Sequence, residues 1–110
     1  MSKDFIPEAG DIIWLELSPQ AGHEQAGRRP ALVISPSSYN SKTSLALCCP
    51  MTTKIKGYPF EVLIDSEDSV VLADHVKSLD WKARKAKLKT QVSEDVLNEV
   101  RGKLQALIRG

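Results

Sequence analysis

Ahead of Ser93, breakers at Gly10, Pro19, Pro30, Pro36, Pro50, Gly57 and Pro59 cut the chain into short apolar pieces. Pieces of this length, bounded by residues that interrupt regular backbone, read as β-strands and not as helices. Residues 11–17, 30–35, 45–49 and 60–64 are expected strands, with Pro50 closing the third. Further strands are expected at 70–73, 76–79 and 88–92. Residues 37–43 read as a connector with a helical turn. The segments 18–29 and 51–58 are polar and Gly-containing, and long loops of this kind often carry function.

The end of the chain obeys a different period. Val96, Leu97, Val100, Leu104, Leu107 and Ile108 recur at three- and four-residue spacing, forming one apolar stripe. Ser93 is a good N-cap, and Glu94 and Asp95 place negative charge at the positive end of the helix dipole. The stripe must cover a sheet or a second subunit, and its last residues read as packing material. One helix and several short strands predict a mainly β fold, a small bent antiparallel sheet or open barrel that protects its own edges.

A chain of 110 residues suits one domain, 1–110, with a genuine core and no room for a cofactor domain. No apolar run approaches the length a membrane helix needs. The start, Met1-Ser2-Lys3-Asp4-Phe5, lacks the pattern of a signal peptide, so the expected address is cytoplasmic. Cys48 and Cys49 are neighbours on an extended strand and point to opposite faces, which disfavours pairing. No Cys or His set has zinc-finger spacing, so no structural metal is expected.

The formal net charge is only +1, and bulk charge makes no case for a polyanionic partner. Its distribution does. Lys77, Lys82, Arg84, Lys85, Lys87 and Lys89 crowd one region, while Arg28, Arg29, Lys54 and Lys56 lie in or beside the two polar loops. A local basic surface binds a polyanion with salt-sensitive affinity. A solvated lysine-rich hairpin is the plainer reading of 82–89.

Glu24-Gln25-Ala26-Gly27-Arg28-Arg29-Pro30 sets two guanidinium groups at the mouth of the apolar run 31–35. Arginine stays protonated, and its planar fork matches phosphate oxygens. RNA can be cut without a metal ion when its own 2′-hydroxyl attacks phosphorus. The protein must then orient the backbone and stabilise the phosphorane oxygens. Arg29 suits the phosphate, and Thr52 or Thr53 can donate a hydroxyl hydrogen bond. Glu24 can accept a proton or orient Arg29. Each also has an ordinary reading. Arg28-Arg29 can be a surface pair, Thr52-Thr53 strand-end residues, His23 exposed in a loop, and His75 a strand-face side chain. Trp14 and Trp81 suit a core or an interface, although an exposed ring can stack on a base.

Taken together, Gly10–Trp14, Glu24–Ser35, Pro50–Thr53, Lys56–Val62 and Ala73–Trp81 resemble, in order and spacing, the PemK/MazF family of toxins. The resemblance implies an SH3-like antiparallel barrel of the CcdB/PemK type that forms a homodimer. It implies an endoribonuclease, independent of metal or other cofactor, that cuts single-stranded RNA, chiefly mRNA. The products would be a 2′,3′-cyclic phosphate and a 5′-hydroxyl. It also implies a cognate MazE-like antitoxin that occupies the same groove, and promoter DNA bound only through the toxin–antitoxin complex. By position, the catalytic residues fall on Arg29, Thr52 and Glu24. RNA contacts fall on Arg28, Thr53, Lys56, Asp74, His75 and Lys77. His75 stands where many members carry glutamine. The alternative is a non-catalytic, CcdB-like poison of a target such as gyrase, which acts through its terminal helix and needs no Arg29–Thr52 pair.

Overall fold

The computed structural model of the chain describes residues 5–16 and 27–110. Among the described residues seven strands form a continuous antiparallel sheet: β1 (Asp11–Glu16), β2 (Arg28–Val33), β3 (Leu45–Thr52), β4 (Glu61–Ile64), β5 (Ser69–Leu72), β6 (Lys77–Asp80) and β7 (Lys87–Gln91). Their spatial order is β4-β5-β3-β2-β1-β7, and β6 pairs with β3 beside β5. Two helices join them, α1 (Ser37–Thr43) and α2 (Glu94–Arg109). Single 3-10 turns follow β4 at Asp65–Glu67 and β5 at Ala73–His75. Among the described residues no helix is long and apolar enough to cross a membrane.

Strand alternation builds a separate cluster on each face of this sheet. One holds Ile12, Leu32, Cys49, Met51, Val62 and Val71, with Leu97 and Val100 of α2 packed onto it. The other holds Ile13, Leu15, Ala31, Val33, Cys48 and Trp81. Cys48 and Cys49 therefore do point to opposite faces, both buried and both free. Gly10 turns the chain into β1 with φ +97°, a region open to glycine, and a Cβ there would meet Leu97 Cδ2 at 3.7 Å. Its N–H donates to the Val33 carbonyl at 2.8 Å, and its carbonyl accepts from Val92 at 2.9 Å.

The expected third strand was to stop at Pro50, yet β3 runs on to Thr52. Its outer neighbour changes at that level: β6 pairs as far as Cys48, and β5 takes over from Met51. No strand on that edge needs an N–H from Pro50, so the proline is tolerated. The 37–43 connector is a full helix anchored by one polar side chain. Asn40, completely buried, donates through Nδ2 to the carbonyls of Pro7 at 2.8 Å and Ser35 at 3.0 Å. Its Oδ1 accepts from Ser35 Oγ at 2.6 Å, and its carbonyl accepts from Trp81 Nε1 at 3.0 Å.

Helix α2 follows its stripe. Ser93 Oγ accepts from the Val96 N–H at 3.3 Å, capping the first turn. Leu97 and Val100 are buried, and Val96 and Leu104 pack beside them. Arg101 and Lys103 donate to the carbonyls of Ile34 at 3.0 Å and Pro59 at 2.8 Å. Leu107 and Ile108 are 46% and 74% exposed in the single chain, so of the two covers expected for the stripe the sheet does not reach them. Sixteen residues make a rod of about 24 Å, and its buried residues, Leu97 and Val100, both lie in its first half.

Candidate active groove

Arg29 lies near the start of β2 and Thr52 at the end of β3. The β2–β3 ladder pairs Val33 with Cys48, Leu32 with Cys49 and Ala31 with Pro50. Continued two residues further, the same antiparallel register sets Arg29 opposite Thr52, and directly opposed residues share a face. Pro30 has no N–H to extend the ladder, which ends at this level. Both side chains line one cavity of about 530 Å³, together with Trp14, Thr53, Lys54, Glu67 and Lys89.

Two further cavities flank this one. Arg29 also lines a hollow of about 260 Å³ walled by Leu15, Ala31, Cys48, Pro50 and Leu79 and rimmed by Lys77 and Arg84. Thr52 also lines a hollow of about 300 Å³, with Lys54, Lys56, Tyr58, Leu72 and His75. The three share walls at Arg29 and Thr52, so they make one groove with those residues at its centre.

The groove is cationic: Arg29, Lys54, Lys56, Lys77, Arg84 and Lys89 line it against Glu16, Glu61 and Glu67, and the last two carboxylates are occupied. Glu67 is ion-paired to Lys89. The Glu61 carboxylate accepts from the backbone N–H groups of Lys56 at 3.1 Å and Gly57 at 3.0 Å. Arg28 and Lys89 each lie 5.2 Å from the centre of the Trp14 ring, within cation–π range. Arg84 Nη1 donates to the Glu16 carbonyl at 3.0 Å, which fixes the guanidinium at the rim. The Thr52 Oγ1 accepts from the Lys54 N–H at 3.1 Å. A hydroxyl used this way as acceptor keeps its own hydrogen for a bond to a ligand oxygen.

Of the residues expected at the site, Arg29, Thr52, Thr53, Lys56, His75 and Lys77 line this groove. Arg28 stands beside it on Trp14. Asp74 is set apart. Its Oδ1 is buried with no hydrogen-bond partner among the described residues, 3.8 Å from His75 Nε2. His75 is in a 3-10 turn, not on a strand face. Glu24 and His23 lie outside the described residues. Sequence reading had not assigned Trp14, Glu61, Glu67, Arg84 or Lys89 to the groove. They come from different elements, and only the sheet order brings them to one place.

Burial pushes the thiols of both Cys48 and Cys49 up from 9.0 to about 12, with Cys49 adding to the rise of Cys48, and Asp74 to that of Cys49, only secondarily. They are inert apolar fillers under the groove, not nucleophiles. Among the described residues no three His, Cys, Asp or Glu side chains converge as a metal-ligand set.

The structure is thus a small bent β-sheet protein with a cationic, arginine-centred groove, a site of the class that suits a phosphate backbone. Residues 8–108 match the model of the PemK-like, MazF-like toxins of type II toxin–antitoxin systems, and the chain belongs to that family. It is 47% identical to the endoribonuclease toxin MazF of Escherichia coli K12, over 98% of this chain and 99% of that one. It is 35% identical to the E. coli endoribonuclease PemK, over 92% and 81% of the two chains. A crystal structure of MazE–MazF from Deinococcus radiodurans superimposes with a TM-score of 0.90 at 53% identity, covering 96% of this chain and 98% of that one. The expected mainly β barrel with one C-terminal helix is thus the observed fold, and these likenesses do not favour the gyrase-poison alternative.

Proposed function

We propose that the groove is the active site of an endoribonuclease toxin that cuts single-stranded mRNA by internal attack of a 2′-hydroxyl on the adjacent phosphorus. The 2′-oxygen bonds to phosphorus as the bond to the 5′-oxygen breaks. One proton leaves the attacking hydroxyl, and one arrives on the departing oxygen. A 2′,3′-cyclic phosphate and a 5′-hydroxyl result. Arg29 carries the charge that grows on the non-bridging oxygens, and the Thr52 hydroxyl donates to one of them. Both interactions strengthen most as the phosphorane forms, which is where they lower the barrier. Glu24, carried over by its place in the sequence alone, accepts the 2′-proton or orients Arg29. Arg28, Thr53, Lys56, Asp74, His75 and Lys77 are the assigned RNA contacts.

The observation that carries this reading is the sharing of one cavity by Arg29 and Thr52. The whole chain, 1–110, acts as one toxin domain, cytoplasmic, as a homodimer whose groove continues across the subunit interface. A MazE-like antitoxin silences it by filling that groove, and promoter DNA is reached through the complex. Digestion of a long, unstructured RNA tests the proposal, with every cut and both new ends mapped. Cuts at a short recurrent motif with cyclic phosphate ends are expected. Intact RNA, or 3′-hydroxyl ends, would reject it.

A further inference from the structure

Between β3 and β4 the chain makes an exposed loop, residues 53–60, tied down at both ends. At its start the Lys54 N–H donates to Thr52 Oγ1 at 3.1 Å. At its end one side chain holds the turn: the two oxygens of Glu61 accept from the N–H groups of Lys56 and Gly57 at 3.1 and 3.0 Å. The Glu61 N–H in turn donates to the Tyr58 carbonyl at 3.0 Å. Gly57 takes φ +76°, a conformation that glycine adopts without strain. Backbone N–H groups bonded to a carboxylate form strong, charge-assisted contacts, so this turn is held in one shape.

The loop displays Tyr58 at the edge of the hollow that Thr52 and His75 also line. Tyr58 is 49% exposed, and its ring meets Phe60 in a T-shaped contact, centres 6.0 Å apart. A ring anchored at one edge and open to a polar hollow is a stacking platform for an unpaired base. Lys54 and Lys56 beside it suit the flanking phosphates.

Resting on the reading of the groove as an RNA-cleaving site, we infer that Glu61 is a positioning residue. Its carboxylate holds the 53–60 loop so that Tyr58 seats the nucleobase next to the scissile phosphate while Lys54 steers the Thr52 hydroxyl. Tyr58 touches the base, and Glu61 acts through the loop. The carboxylate therefore couples base recognition to the chemical step without contacting RNA.

The test uses the full chain in single-turnover cleavage of a short RNA containing a mapped cut. The same RNA is then made with an abasic nucleotide on either side of the cut in turn. Tyr58→Ala is expected to slow cleavage of the intact RNA by about 10-fold, the loss typical of one stacked base, and to have no effect when the abasic nucleotide occupies one of the two sides. Glu61→Ala should slow the intact RNA more than Tyr58→Ala does, because it also loosens Thr52. Glu61→Gln, which keeps an oxygen for one of the two N–H groups, should recover part of that rate. In base discrimination the double variant should be no worse than Tyr58→Ala alone, since both changes remove one platform. Melting curves separate these effects from unfolding, and if Glu61→Ala does not fold, Glu61→Gln carries the test of Glu61, a wild-type rate in it overturning the inference. Wild-type rates in folded Glu61→Ala would overturn the inference, as would a Tyr58→Ala loss that persists on both abasic RNAs. Failure of the unaltered protein to cut any RNA would instead overturn the reading of the groove itself.

Discussion

The two faces of the sheet are built from the same strands and put to opposite uses. On the face under α2, Leu32, Cys49, Met51 and Val71 meet Leu97 and Val100, and water is excluded. On the other face, Ala31, Cys48 and Leu15 form a floor that opens beside Arg29 into the groove. Successive residues of β2 and β3 therefore serve stability and chemistry by turns. Arginine and threonine can hold fixed positions without backbone strain, because regular strands position them. The difference predicts that substitutions of the exposed groove side chains and of the core under α2 separate into losses of rate and losses of stability.

Arg29→Ala should break the groove face most severely. Losing the group that opposes phosphorane charge is expected to cost about 10²–10³ in single-turnover rate. The melting temperature should hardly move, since Arg29 is exposed. Retained cleavage by the folded variant would end the assignment. Leu97→Ala should be its mirror image on the helix face, losing about 2–4 kcal/mol in denaturant unfolding through a cavity. Per folded molecule its cleavage rate should match the parent, and a slowed rate would show that the faces are coupled.

Thr52→Val sits between them. It deletes one hydrogen bond and preserves shape, with an expected loss of about 10-fold or somewhat more in the chemical step. RNA affinity, measured on an uncleavable 2′-deoxy analogue, should stay nearly constant. A change in affinity alone would move Thr52 from the chemistry to binding.

The two buried thiols give a pH effect belonging to neither face alone. Their folded pKa values lie near 12, above the ordinary 9.0. The native state therefore holds protons that the unfolded chain gives up, and stability should fall as pH rises from about 9 towards 12. Denaturant midpoints across that range should slope less in Cys48→Ala/Cys49→Ala; equal slopes would locate the loss elsewhere. The smallest expected effect is that of a chelator, which should leave the cleavage rate unchanged because Arg29 supplies the charge. Restoration by added magnesium would contradict this.

The legibility of the two helices differed for a physical reason. Helix α2 announces itself by an apolar stripe and a serine cap, and both signals are local. Helix α1 has neither: only Asn40 is buried, and its partners Pro7, Ser35 and Trp81 are distant or meaningless until the chain has folded. Pro50 misled in the same way, since whether a proline ends a strand depends on whether a neighbour wants its N–H. Arg29 and Thr52 were readable because family-like spacing marks them. Glu61 and Lys89 were not, because a carboxylate bracing a turn and a lysine beside a tryptophan look like ordinary surface charge.

The passage of β3 through Pro50 has a consequence for how such a chain can diverge. From Cys48 to Thr52 the strand alternates sides: Cys49 and Met51 join the cluster under α2, Cys48 joins the one opposite, and Thr52 lines the groove. Swapping one residue for another there changes a single environment. Adding or deleting one residue would exchange them all, presenting methionine to the phosphate and threonine to the oily interior. Drift in spelling is survivable along this stretch, whereas drift in length is not.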